Sequence, residues 1–198
     1  MKNFKLNEKD ILSNQDWTFP TTTYYGPGRF NEIGKFCEEF DIKNPLIVTD
    51  SGSKDLPFIK KLIALLSKNS IKSDLFYNIS PNPRDDEISK GCDQFKNGSH
   101  DSIIAIGGGS AMDGGKSICL TVNSETPLWD FEFEQPVPKI TKENAFPKII
   151  TIPTTAGTGA ETEITAMVTH LEKGMKFCIW HPDVRPIFTL VDPELTLE

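Results

Sequence analysis

The sequence has no long apolar run, no block of basic residues and no closely paired cysteines. Its hydrophobic stretches stop well short of the ~20 residues that a membrane-crossing helix needs, so no membrane partner is expected. Lysine and arginine total 21 against 28 aspartates and glutamates, a formal net charge of -7, and the basic residues are never clustered. That balance argues against a nucleic-acid surface or an anionic membrane as partner. Cys37, Cys92, Cys119 and Cys178 lack the paired spacing of a zinc site, which predicts reduced buried thiols rather than disulfides or ligands. The three histidines, His100, His170 and His181, share no helix face with a carboxylate at ligand spacing and are expected at surface or loop positions rather than around a metal. Met1–Asp10 lacks the apolar core of a signal peptide, so a cytoplasmic protein is expected. With 198 residues of ordinary globular composition, one sizeable domain is the default.

What is present centres on Ile103 to Ile118. Ile103-Ile-Ala-Ile106 is a short apolar run after the polar Ser99-His-Asp-Ser102, the pattern of a strand covered on both faces. Gly107, Gly108 and Gly109 follow, then a helix on which Ser110 stands at the expected N-cap and Asp113 three residues later, a shortened capping box. Free N–H groups and the positive end of the helix dipole would then favour phosphate. A P-loop would need glycine at Ser110 and the Rossmann fingerprint would need it at Met112, so neither motif is met. A tight strand-to-helix corner is the alternative for the glycines alone.

The rest of the chain alternates. Trp17 to Gly26 reads as a strand ended by a turn, and Phe30 to Phe40 as a helix with Phe30, Ile33, Phe36, Cys37 and Phe40 on one face. Leu46 to Asp50 is a buried strand, Leu56 to Asn69 an amphipathic helix, Ile71 to Ile79 a strand, and Asp85 to Asn97 a charged helix after the rigid Pro81-Asn-Pro83 corner. This order implies a parallel sheet with helices on both faces and ligands at the carboxyl ends of the strands, where Asp50, Asn82 and the glycines fall. Singly, Asp50 also fits a turn cap and Asn82 a Pro-flanked turn. After an irregular excursion from Pro127 to Pro147, the strand Lys148–Ile152 leads into Pro153-Thr-Thr-Ala-Gly-Thr-Gly-Ala-Glu161. Thr154, Thr155 and Thr158 there can donate to phosphate or ribose oxygens, or bond their own backbone. Thr162 to Thr169 and Lys176 to Trp180 predict a hairpin across Glu172-Lys-Gly174, with Lys176 either solvated or facing a site. Ile187 to Val191 is the last strand.

Gly107-Gly-Gly-Ser-Ala-Met-Asp113, the Pro153–Glu161 loop and Asp192-Pro-Glu-Leu195, in that order, closely resemble the iron-dependent (group III) alcohol dehydrogenase family. Pro127-Leu-Trp-Asp-Phe131, Pro81-Asn-Pro83 and Val48-Thr-Asp50 extend the likeness from about Trp17 to Leu197. The resemblance implies a Rossmann-like, mostly parallel α/β domain of the dehydroquinate synthase type over residues 1–198, without the helical metal-binding domain that follows in the family. It further implies NAD as cofactor in preference to NADP, with Asp50 on the adenosine ribose and Asn82 near the cofactor. Gly108, Gly109 and Ser110 would lie on the pyrophosphate, with Asp113 supporting that loop. Thr154, Thr155 and Thr158 would serve the adenine and phosphate side, and Thr165 and Lys176 the nicotinamide ribose. In an intact enzyme Fe²⁺ or Zn²⁺ would polarise a small alcohol or aldehyde for hydride exchange. The family's metal ligands have no counterpart here and no catalytic residue is assigned, so the chain alone is expected to bind no catalytic metal and to be inactive. An exposed apolar docking face would favour self-association. The competing expectations are a piece of a glycerol dehydrogenase or dehydroquinate synthase-like enzyme, and a nucleotide-binding remnant without catalysis.

Overall fold

In a computed structural model, residues 14–18 and 20–197 are described; Met1–Asp10 lies outside them. Among these described residues nine strands and four α-helices follow one another: β1 (Gln15–Thr18), β2 (Thr22–Tyr25), α1 (Ile33–Glu39), β3 (Pro45–Asp50), α2 (Pro57–Lys68), β4 (Asp74–Ile79), α3 (Asp85–Asn97), β5 (Ser102–Gly107), α4 (Gly109–Thr121), β6 (Lys148–Pro153), β7 (Thr165–His170), β8 (Met175–Trp180) and β9 (Phe188–Val191). Seven strands form one sheet in the order β1-β2-β9-β6-β5-β3-β4, and β7 and β8 form a separate hairpin. Only the β1–β2 pair of the large sheet is antiparallel. This is the Rossmann-like arrangement expected from the alternation of strands and helices.

Period-two alternation within the buried strands divides the core between the two faces of the sheet. Leu46, Val48, Ile103, Ala105 and Ile149 meet α3 and α4 through Ile88, Phe95, Met112 and Ile118. Ile47, Ile104, Ile106, Ile150 and Ile152 meet α1 and α2 through Ile33, Phe36, Ile59, Leu62 and Leu66. Helix starts follow local chemistry. Pro57 opens α2, where its missing N–H costs nothing. Asp85, Asp86 and Glu87 crowd the first turn of α3, where the helix dipole favours negative charge, and Glu87 Oε2 accepts from the N–H of Arg84 at 3.1 Å. All four cysteines are free thiols, and burial pushes the Cys37 thiol up to about 12.

Three expectations are corrected. The stretch from Trp17 to Gly26 is not one strand, because Pro20, which cannot donate to a ladder, falls between β1 and β2, and the two pair as a hairpin. The capping box does not form: Gly108 is the N-cap of α4, Ser110 already lies within the helix, and no side chain caps it. The histidines are buried rather than superficial, His100 at 7%, His170 at 9% and His181 at 3% exposure. Each has found a partner that its sequence neighbours did not reveal. His100 Nδ1 lies 3.0 Å from the Asn44 carbonyl, His170 stacks on Trp129 with ring centroids 4.5 Å apart, and His181 Nε2 lies 3.0 Å from the Pro138 carbonyl.

Candidate cofactor cleft

The sheet order makes β6, β5 and β3 neighbours, so the loops leaving their carboxyl ends meet although they are far apart in sequence. Thr154 N–H donates to the Gly107 carbonyl at 2.9 Å, tying the loop after β6 to the glycine turn after β5. Ser110 Oγ donates to the Pro81 carbonyl at 2.6 Å, bringing the Pro81-Asn-Pro83 corner against the first turn of α4. At the end of β3 the register with β4 shifts between Val48 and Asp50. Asp50 then accepts through Oδ1 from the N–H groups of Gly52 and Ser53, both at 3.0 Å, and through Oδ2 from Ser53 Oγ at 2.8 Å. The turn-cap reading of Asp50 therefore holds, and the same bonds fix its carboxylate at the rim of a cleft.

That cleft, of about 770 Å³, is lined by Asp50, Ser53, Gly108, Thr154 and Thr155 on its polar side. Leu56, Pro57, Phe58, Leu195 and Leu197 form an apolar wall, which suits the flat face of a purine. No motif singled out this wall, although Leu56-Pro-Phe58 follows the Asp50 turn. An equally large cleft lies at the amino ends of the strands, between Asn44, Ser70, Lys72, Asp74 and Ser99. Ligands of open parallel sheets collect at the carboxyl ends, so the first cleft is the candidate site.

The glycine turn leaves little room for side chains. Gly107 has φ +141°, and a Cβ there would stand 2.9 Å from that of Ala111. A Cβ on Gly109 would stand 3.3 Å from Thr158 Oγ1, and one on Gly108 3.6 Å from Thr155 Oγ1, so side chains here would fill the space between turn and threonine loop. With no side chain capping α4, its amino end is directed at this space. A dinucleotide's pyrophosphate matches this donor set.

The remaining expected residues are spread more widely. Asn82 is exposed on the corner that Ser110 secures, and Thr158 is exposed beside Gly109. Asp113 lies further along α4 with its Oδ1 3.5 Å from Lys116 Nζ. Burial pushes the Asp113 carboxyl above the usual carboxylate range, partly offset by Lys116 and by the Met167 N–H. Thr165 Oγ1 donates to Glu163 Oε2 at 3.0 Å. Lys176 is exposed on β8 opposite Thr169, towards the turn of the hairpin, whereas Thr165 pairs with Trp180 at the other end. Sequence reasoning passed over Lys116, whose Nζ donates to the carbonyls of Ala160, at 2.9 Å, and Thr165. Among the described residues no three His, Cys, Asp or Glu side chains converge as a metal site, and no helix is long and apolar enough to cross a membrane.

Known proteins share this arrangement. The chain is 32% identical over 192 residues to choline dehydrogenase of Bacillus subtilis, covering 96% of this chain and 47% of that protein. It is 31% identical over 182 residues to NADH-dependent butanol dehydrogenase A of Clostridium acetobutylicum, covering 91% and 45%. It superposes on sulfoacetaldehyde reductase from Bifidobacterium kashiwanohense, solved in complex with NAD+, with a TM-score of 0.80 and 29% identity, covering 91% of this chain and 46% of that one. The chain thus spans about half the length of the curated relatives it matches. A family model for iron-containing alcohol dehydrogenases matches residues 20–193, so that β2 to β9, the glycine turn and the threonine loop all fall within the match, and the chain belongs to the iron-containing alcohol dehydrogenase family.

Proposed function

We propose that this chain is the dinucleotide-binding domain of an NAD-dependent alcohol dehydrogenase. The observation that carries the reading is the convergence of Asp50, Gly108, Thr154 and Thr155 on one cleft at the carboxyl ends of β3, β5 and β6. In this reading Asp50 accepts hydrogen bonds from the adenosine ribose, and the apolar wall covers the adenine. The backbone of Gly108, Gly109 and Ser110, with the hydroxyls of Thr154, Thr155 and Thr158, holds the pyrophosphate, and Asp113 backs that turn. Asn82, Thr165 and Lys176 lie on the nicotinamide side. When bound, the nicotinamide supplies hydride exchange with an alcohol or aldehyde carbon. The NADH dependence in the name of the butanol dehydrogenase and the NAD+ bound to the sulfoacetaldehyde reductase support this choice of cofactor.

The names of the relatives differ in substrate, from choline to butanol, so the cofactor half leaves the alcohol open. An Fe²⁺ or Zn²⁺ ion belongs to the proposal only for an intact enzyme, because the described residues offer no ligand set. Titrating the 198-residue chain with NADH and following nucleotide fluorescence tests the reading. Saturable binding that disappears in Gly108→Val is expected, since a branched side chain would occupy the gap beside Thr155. Wild-type protein that binds neither NADH nor NADPH would remove it.

A further inference from the structure

Lys116 is the only completely buried lysine among the described residues. It stands on α4, and its ammonium donates to the carbonyls of Ala160 and Thr165, with Asp113 Oδ1 at 3.5 Å. Desolvating an ammonium ion is costly, and an apolar side chain of similar volume would fill the same space without that cost. Burial pushes this amine below the usual lysine range, opposed by Asp113, Glu163 and Glu161. What the charge secures is the segment from Ala160 to Thr165, which continues the threonine loop.

That loop has few other attachments. Gly157 and Gly159 have no neighbour within 4 Å of where a Cβ would be, and Gly159 has φ +70°. The loop is fixed at its root by the Thr154 N–H to Gly107, and downstream by Thr151 Oγ1 to the Glu161 carbonyl and Thr21 Oγ1 to the Thr162 carbonyl. Besides apolar packing of Ala160 and Ile164 in the core shared with Ala111 and Met112, the Lys116 bonds are the hydrogen bonds among the described residues that tie this downstream segment to the helix that also carries Gly109 and Ser110. The spacing between Gly109 and Thr158 therefore depends on how Ala160 and Thr165 sit against α4.

We propose that Lys116 is a positioning residue for the cofactor's phosphates: by clamping the Ala160 and Thr165 carbonyls to α4, it sets the gap between the glycine turn and Thr158. The proposal rests on the dinucleotide reading above. Its test uses the 198-residue chain with Lys116→Met, and Cys119→Ala as control. Cys119 is buried on the same helix, but its thiol bonds the Pro147 carbonyl, away from the loop. Two quantities are measured at a temperature where each variant is folded by circular dichroism: the NADH dissociation constant, and amide hydrogen exchange without nucleotide.

Lys116→Met should weaken NADH binding by about tenfold or more and accelerate exchange over residues 155–166, with α2 unchanged. Cys119→Ala should lower the unfolding midpoint while changing neither quantity. If Lys116→Met does not fold, Lys116→Gln, whose amide retains donors, carries the same comparison with a smaller loss of about threefold expected. Unchanged exchange over 155–166, unchanged NADH affinity, or equal effects from Cys119→Ala would each overturn the proposal. Failure of the wild type to bind NADH removes the dinucleotide reading instead, and the exchange comparison still decides whether Lys116 holds the loop.

Discussion

Asp50 and Gly107 end two adjacent parallel strands so closely that a Cβ added to Gly107 would stand 3.2 Å from Asp50 Oδ2. The same Cβ would meet Ala111 Cβ at 2.9 Å, and the backbone there has φ +141°. Gly107→Ala is therefore expected to destabilise the fold by about 1–3 kcal/mol and to displace the Asp50 carboxylate from the cleft rim. Urea unfolding and NADH titration of the variant measure both effects. A midpoint and affinity equal to wild type would show that the turn has room to spare.

Cofactor choice should follow from the same carboxylate. A 2′-phosphate would bring like charge against Asp50, so NADH is expected to bind at least tenfold more tightly than NADPH. Asp50→Asn keeps an acceptor for the Gly52 and Ser53 N–H groups while removing the charge, and should narrow that ratio without unfolding the turn. The two dissociation constants in wild type and variant decide the matter, and equal wild-type affinities would exclude this role for Asp50.

Helix α4 lies unusually close to the sheet at two glycines. A Cβ on Gly115 would stand 2.6 Å from Ala105 Cβ, which is anchored to the backbone, whereas one on Gly114 would meet the flexible end of Ile79 at 2.7 Å. Alanine is favoured over glycine within a helix by about 1 kcal/mol. Overpacking against an atom that cannot rotate away costs about 1–3 kcal/mol. Gly115→Ala should therefore destabilise more than Gly114→Ala, as read from their urea midpoints, and the reverse order would mean that the helix shifts as a body.

Acid stability should depend in part on the first turn of α3. Hydrogen bonds from Arg84 and Lys90 hold the Asp86 carboxyl at about 2, below the usual carboxylate range. A group depressed in the folded state stabilises it at pH values above its unfolded pKa, and that contribution fades as pH falls through about 4 towards 2. The difference in urea midpoint between wild type and Asp86→Asn should be constant above about pH 5 and shrink below it. Because Asp86 is partly exposed, added salt should reduce the difference as well. A difference independent of pH would refute the assignment.

The order of elements and the convergence of Asp50, the glycines and the threonine loop were legible because each rests on local chemistry: buried β-rich runs, amphipathic spacing, and turns at strand ends. The side-chain roles that depend on distant partners were not. Ser110 looked like an N-cap, but the N-cap is Gly108, two residues earlier, and the Ser110 hydroxyl serves Pro81, 29 residues away. Lys116 drew no reading from its neighbours, because its carbonyl partners lie 44 and 49 residues along the chain. The buried histidines were missed for the same reason. An imidazole beside polar residues looks solvated until the fold supplies Trp129 to stack on or a carbonyl to bond.

The pairing of β2 with β9, which sets Thr23 beside Thr189, bears on how the chain is made as well as on how it is held. Among the described strands, the partner of this early strand is the last to be made. At about 5–20 residues per second, β2 has one hydrogen-bonding edge without its final neighbour for roughly 10 to 30 s of synthesis. Nascent chains stalled before Thr189 should be cut by protease near Thr22–Tyr25, and chains extending well past Val191 should resist. The sheet that carries the cleft is therefore completed from its far end, and it cannot close before Val191 has been made.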